Sequence, residues 1–475
     1  MNPKIKNRNT LLQTGDIESR RIVLDVAEAT LKRLDSYHRI HSILSIDSHI
    51  LTIGKKQWDL SQKKNIYLIG AGKACNAMAL AVEKSMGDWL TEGIAIVKLI
   101  EPADKNFIKT RVYVGGHPLP NEEGVLASKE VLSLIDKATK DDLFICVMSG
   151  GSSALMSYPI EGITLQDEID TNDVLLKSGA GIAEINSIRR HISRMNGGRM
   201  AQRIAEKGAE LIGFNISDSI SNPPTGDISV PWPNFSGTPM GPDLSTLESA
   251  RKVIIKYDLM HRLPQSVIRY LYDCTSANET PKAFPQNTYY QINTLPDSCI
   301  YAQQAAEEMG IPSIILSTFI EGEAKDVGTL MASIAREIQK YRHPISPPCL
   351  VLSAGEAVTT ITDNASIKGH GGPSQEMALS FAISAAKAKG ICFLSIDSEG
   401  TDGTTMAAGG ITDSQSLNNA IAAGIDIYAS LRSHASFEAL EAINSTIITG
   451  NTGTNICDIS LTFLLLFFNI FRKED

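Results

Sequence analysis

The seven cysteines of this 475-residue chain, at 75, 146, 274, 299, 349, 392 and 457, include no CxxC pair. Scattered and odd in number, they exclude a disulfide frame and a zinc knuckle and read as the reduced thiols of a cytoplasmic protein. Cys146, Cys349 and Cys392 lie inside apolar runs, as plain core residues do. There is no long basic run and the net charge is −9, so no nucleic-acid partner is expected. The opening MNPKIKNRNTLLQTGD lacks the apolar stretch of a secretory signal. No run reaches the roughly 20 apolar residues of a membrane-spanning helix. The most apolar segment, Ile459 to Phe471, reads as a buried strand with an apolar tail, and no membrane partner is expected. Internal repeats and low-complexity tracts are also missing.

What is there is an ordinary globular composition, 43% hydrophobic and 20% charged, in a chain long enough for about two domains. Ile22, Val26 and Leu31, with Val23 and Leu34, predict an opening helix. A pattern then recurs in which a short β-branched run ends in Gly, Ser or Asp and a helix follows. The predicted strands are Asn65–Ile69, Phe144–Met148, Glu210–Asn215, Ser313–Leu316, Leu350–Leu352 and Cys392–Ile396. Such alternation implies mostly parallel sheets covered on both faces. Asn222–Asp243, with six prolines and three glycines, reads as a long loop or interdomain linker. A domain boundary is placed near residue 245.

In open α/β sheets ligands bind at the carboxyl ends of the strands, where the chemistry-bearing motifs of this sequence all fall. Gly70-Ala71-Gly72-Lys73-Ala74 offers a tight turn with N–H groups at a helix start, a good phosphate site. Lys73 there opposes the helix dipole, which makes sense if an anion sits beside it; a surface lysine is the alternative. The third glycine of a dinucleotide fingerprint is replaced by Cys75, and Lys98 stands where a ribose-binding acid belongs. The Walker spacer is absent too. Ser149-Gly150-Gly151-Ser152-Ser153 reads as a nest of donors for phosphoryl oxygens, or as an ordinary glycine-rich turn. His117, between Gly116 and Pro118, lines the site or is structural.

In Ser178–Ala201, Glu184, Asn186, Arg189 and Arg190 crowd into a few helical turns, and one arginine would suit the carboxylate of a small acid. Asp218, in Ser217–Ser219, and Asp402, in the 397–405 turn, are hard-oxygen candidates for Mg²⁺, though Asp402 could equally form a turn. Ser353–Glu356, Gly371–Glu376 and Thr449–Asn455 are further donor-rich loops.

Taken in order, the segments Gly70–Ala74, Gly116–Pro120, Ser149–Leu155, Ser178–Ala201, Ser217–Ser219, Ser353–Glu356, Gly371–Glu376, Glu399–Gly403 and Thr449–Asn455 resemble glycerate 2-kinases of the class that carries a MOFRL domain. The resemblance runs from about residue 17 to 460. It implies an α/β fold of two domains: a Rossmann-like three-layer α/β/α domain over residues 17–245 and a smaller α/β MOFRL-type domain over 246–475. It implies ATP-dependent phosphorylation of D-glycerate to 2-phosphoglycerate, with Mg²⁺ as cofactor and ATP and D-glycerate as the small-molecule partners.

Under that reading Lys73, Asp218 and Arg189 are catalytic, with Asp218 or Asp402 on the metal. Gly70, Gly72, Ser149, Gly150, Gly151, Ser152, Ser153, Glu356, Gly371, Gly372, Gln375, Glu376, Thr452 and Asn455 face the nucleotide. His117, Glu184, Asn186 and Arg190 face the acid. Pro373-Ser374 stands where the family often has Arg-Asn, which shifts transition-state stabilisation toward Lys73, Arg189 or Arg190. Two rivals are an NAD(P)H-dependent hydroxypyruvate reductase and a binding homologue with impaired catalysis. Whether the chain forms a homo-oligomer is left open.

Overall fold

The computed structural model describes residues 3–233, 235–361 and 367–465. The expected tail beyond Leu465, through Phe471, lies outside the described residues. The strands form three sheets. An antiparallel meander joins β1 (Leu44–Asp47), β2 (Ile50–Ile53) and β3 (Lys56–Asp59). The second sheet holds β4 (Ile66–Ala71), β5 (Glu92–Val97), β6 (Thr110–Val114), β7 (Leu143–Met148), β8 (Glu210–Ile216) and β9 (Thr288–Asn293). The third holds β10 (Ser313–Glu323), β11 (Cys349–Val358), β12 (Ile391–Asp397), β13 (Gly409–Asp413), β14 (Thr446–Ile447) and β15 (Asp458–Leu464).

By contacts the chain divides into two compact units. One comprises residues 1–35, 217–225 and 293–475, and the other 36–216 and 226–292. Both are α/β. The boundary expected near 245 falls inside the second unit, because the chain crosses between units at 35/36, 216/217, 225/226 and 292/293. The proline-rich stretch is not a free linker. From 226 on it packs into the second unit, where Phe235 stacks on Tyr289 at 4.4 Å and Met240 is fully buried.

In that second unit the strand order is β6-β5-β4-β7-β8-β9, with β4 to β8 mutually parallel. This is the doubly wound Rossmann order, and the reversal lies between β4 and β7. Every residue of β4 and β7 is buried, as central strands covered on both faces must be. The helix Glu122–Asp136, started by the Asn121 side chain accepting the Gly124 N–H, lays Ala127, Val131 and Ile135 against Ile69, Phe144 and Met148.

The first unit's sheet runs β10-β11-β15-β12-β13-β14. Only β10 and β11 are parallel; β15 enters antiparallel between β11 and β12. The expectation of mostly parallel sheets therefore holds for the β4–β9 sheet and fails for the other two. A buried apolar run looks the same whichever way the strand points, and β15 arrives from far along the chain. The opening helix, Ile17–Leu34, begins on Asp16, whose side chain accepts the Ser19 N–H, and belongs to this unit. Its Arg20 is fully buried against Asp413 at 2.5 Å and also donates to the Leu11 carbonyl.

Candidate active site

Where β4 and β7 separate, two glycine-rich turns leave the sheet side by side and clasp each other. The Ser149 N–H donates to the Ala71 carbonyl (3.1 Å), and the Lys73 N–H donates to that of Gly150 (3.0 Å). The Ser149 hydroxyl accepts the Ala74 N–H at 3.0 Å. Gly72 sits at φ +132, and a Cβ there would lie 2.2 Å from Ser149 Oγ and 2.7 Å from its carbonyl oxygen. Only glycine lets the turns approach this closely.

Gly151, at φ +84, completes the arrangement. A Cβ on it would meet His117 Cδ2 at 2.9 Å and Lys73 Cγ at 3.2 Å. Motifs separated in sequence, at Gly70, Gly116 and Ser149, thus meet around one glycine. The N–H groups of Gly150 and Gly151 donate to no described residue. The helix Cys75–Met86 starts beside them with no side-chain cap and no acid in its first turn. Unpartnered amides, an uncapped helix start and a half-buried lysine make a seat that suits an anion.

Sequence reasoning missed one residue here. Buried Asn196 donates from Nδ2 to the Ser153 carbonyl (3.1 Å) and thereby anchors the far end of the nest. It stands before Gly197-Gly198 and reads only as a turn residue. The role of Ser149 also differs from the expectation: its hydroxyl braces the Lys73 turn from within.

The helix Ile182–His191 sorts its polar residues by partner. Glu184 accepts the Gly181 N–H at the helix start and bonds Lys256 Nζ and Tyr257 Oη, each at 2.7 Å. Those donors hold its carboxyl at about 2. Arg190 is paired with fully buried Asp243 at 2.9 Å. Both residues, expected to face the acid, are thus paired within the chain. Arg189 is different. It is half-buried and makes no hydrogen bond or ion pair with a described residue. Burial lowers its guanidinium from the ordinary value, while the charge of Glu168 opposes that shift. Asn186, also half-buried, has no partner among the described residues either.

In the first unit the donor-rich loops mostly bond one another. Asp402 is almost fully buried and accepts the N–H groups of Ser374 (3.2 Å) and Gln375 (2.9 Å), plus Gln375 Nε2 (2.9 Å). It caps the helix Pro373–Ala385, and burial pushes it up to about 6. Both Asp402 oxygens and the Gln375 amide nitrogen are thus bonded within this turn. Gly372 is pressed against Asp402, where a Cβ would come within 2.4 Å, and the Gly371 carbonyl accepts the Thr404 N–H. Glu376 is buried, its Oε1 2.8 Å from His434 Nδ1, and burial raises its carboxyl. Thr452 donates to the Ser398 carbonyl. Gly372, Gln375, Glu376 and Thr452, expected to face a nucleotide, thus bond or pack within their own unit.

Asp218 is half-buried; Asn455 Nδ2 donates to its Oδ2 at 3.3 Å, and the Cys457 thiol donates to its carbonyl at 3.1 Å. The same thiol lies 3.9 Å from exposed Glu356. Among the described residues no group of three or more His, Cys, Asp or Glu side chains could hold a metal ion. No described helix is long and apolar enough to cross a membrane.

Comparison with known proteins places the chain. A domain-of-unknown-function model, DUF4147, matches residues 22–272, and the MOFRL family model matches 349–458. A glycerate 2-kinase of Pyrococcus horikoshii is 34% identical over 94% of this chain and 98% of its own. A protein of Agrobacterium vitis called a putative hydroxypyruvate reductase is 33% identical over 82% and 85%. The crystal structure of a glycerate kinase from Thermotoga maritima superposes with a TM-score of 0.76 at 29% identity, covering 94% of this chain and 99% of that one.

Proposed function

The chain belongs to the glycerate kinase family, and from that premise we infer that it transfers the terminal phosphoryl group of ATP to the 2-hydroxyl of D-glycerate. The observation that carries this reading is the seat between β4 and β7, where Lys73, His117 and the free amides of Gly150 and Gly151 converge. Phosphoryl transfer asks a protein mainly for positioning and charge stabilisation. The amides hold phosphate oxygens, and the Lys73 ammonium offsets charge on the phosphoryl group in flight. Arg189 is the guanidinium left over for the acid's carboxylate, since Arg190 is spoken for by Asp243. No guanidinium stands at Pro373, and Ser374 is locked to Asp458 and Ser395, so the stabilising charge rests on Lys73.

ATP-bound Mg²⁺ takes most of its oxygens from phosphates and water and needs only one or two carboxylates. Asp218 fits that need, being half-buried and steadied by Asn455. When bound, the ion would neutralise charge on the phosphates. The buried, unpaired thiols support a cytoplasmic setting.

The A. vitis relatives favour hydroxypyruvate reduction as a second reading. Cys75 and Lys98 depart from what a dinucleotide site needs, and this weighs against it. The decisive experiment incubates purified protein with ATP and D-glycerate and resolves 2- from 3-phosphoglycerate. We expect ADP and 2-phosphoglycerate. NADH oxidation with hydroxypyruvate and no ADP would overturn the proposal, and ligand-dependent stabilisation without turnover would reduce the protein to a binding homologue.

A further inference from the structure

We propose that Leu99 and Ile100, on the turn after β5, form the seat of the donor's nucleobase, a flat heterocycle of purine size. The proposal rests on the nucleotide reading of the β4–β7 seat and adds the part of the ligand which that seat cannot hold. Both side chains stand out from the surface, 51% and 60% exposed. Their backbone does not float. Buried Asn76, in the first turn of the helix that follows Lys73, donates from Nδ2 to the Leu99 carbonyl (3.1 Å) and to Asp104 Oδ2 (2.7 Å). The same Asp104 oxygen accepts the Glu101 N–H at 2.7 Å, and a 3₁₀ turn over Pro102–Asn106 closes the strap. Two large aliphatic side chains are thus held outward on a fixed frame.

The location identifies the occupant. β5 is the strand next to β4, with Ile96 in register with Ala71, and the Gly72 N–H donates to the Ile96 carbonyl at 3.3 Å. In doubly wound sheets the residues ending this second strand meet the nucleoside whose phosphates lie on the first glycine turn. Two side chains are far too little for a protein interface, which takes about 800 Å² per partner. The face of one heterocycle is the right size.

The test uses the full chain carrying Leu99→Ser with Ile100→Ser. Both side chains are exposed, so the melting temperature should hold. Calorimetric titration with ADP and, separately, with inorganic tripolyphosphate reads the base and the phosphates apart. We expect the Kd for ADP and the KM for ATP to rise about tenfold, with tripolyphosphate affinity and the KM for D-glycerate unmoved. Unchanged ADP affinity would overturn the proposal, as would equal weakening of both ligands. Wild-type turnover of ATP and D-glycerate is measured alongside. Failure of the base seat with intact turnover leaves the kinase reading standing, and loss of wild-type turnover and ADP binding together would remove both.

Discussion

Two glycines with nearly the same backbone angle separate the strain of a left-handed residue from the geometry of the anion seat. Gly151 sits at φ +84 and Gly162 at φ +87. Placing an L-residue at such an angle costs about 1–2 kcal/mol wherever it occurs. A Cβ at Gly162 meets nothing within 4 Å, whereas at Gly151 it meets the His117 ring at 2.9 Å and the Lys73 stem at 3.2 Å. Gly162→Ala should therefore lower the urea midpoint by the strain alone and keep kcat. Gly151→Ala should carry the same strain and also push His117 and Lys73 away from the unpartnered amides. A misplacement of about 1 Å at a reacting centre is worth about 10²-fold in rate, close to the loss expected of Lys73→Ala. Urea melts and a coupled ADP assay on both variants decide the matter. If they lose kcat equally, or if Gly151→Ala retains it, the seat is not where phosphoryl transfer happens.

Other consequences can be measured with the same tools. Arg189→Lys should raise the KM for D-glycerate at least about tenfold with little change for ATP, because an ammonium cannot reproduce the two-pronged contact. Arg190→Lys should act mainly on the urea midpoint, by leaving Asp243 poorly paired. Arg20→Ala removes one partner of a fully buried ion pair and should cost about 3–5 kcal/mol of unfolding free energy, while Arg20→Met with Asp413→Leu should recover most of it. The raised carboxyl of Asp402, at about 6, keeps its proton in the folded chain after the unfolded chain has lost it. The folded state thus binds more protons between pH 4 and 6, and stability falls by up to about 3 kcal/mol as pH rises through that window. Urea melts at pH 4.5 and 7 on wild type and Asp402→Asn should show this drop in the first and a smaller one in the second.

The limits of the sequence reading follow from the range over which each residue's job is defined. β4, β7, β8 and β12 appear within a few residues of their expected places, because a buried strand announces itself in its own apolar run, while β11 (Cys349–Val358) runs on through Ser353–Glu356, which was expected as a loop. Gly72 and Gly151 were legible for a similar reason. A glycine reports the backbone at its own position, and the close approach of the turns follows from φ values that other residues adopt only under strain. A charged side chain reports nothing of the kind. Glu184, Arg190 and Asp402 have the chemistry to hold an acid, a nucleotide or a metal, and nothing local says whether the counter-charge is a ligand or another part of the chain. Asp243 lies 53 residues beyond Arg190, and Gln375 lies 27 residues before Asp402. The direction of β15 was hidden in the same way, since antiparallel pairing with β11 and β12 is settled by segments about 60 to 100 residues away. Arg189 illustrates the converse. Its sequence context matches that of its neighbour Arg190, and only the fold, by giving Asp243 to one and no ion pair with a described residue to the other, tells the two guanidiniums apart.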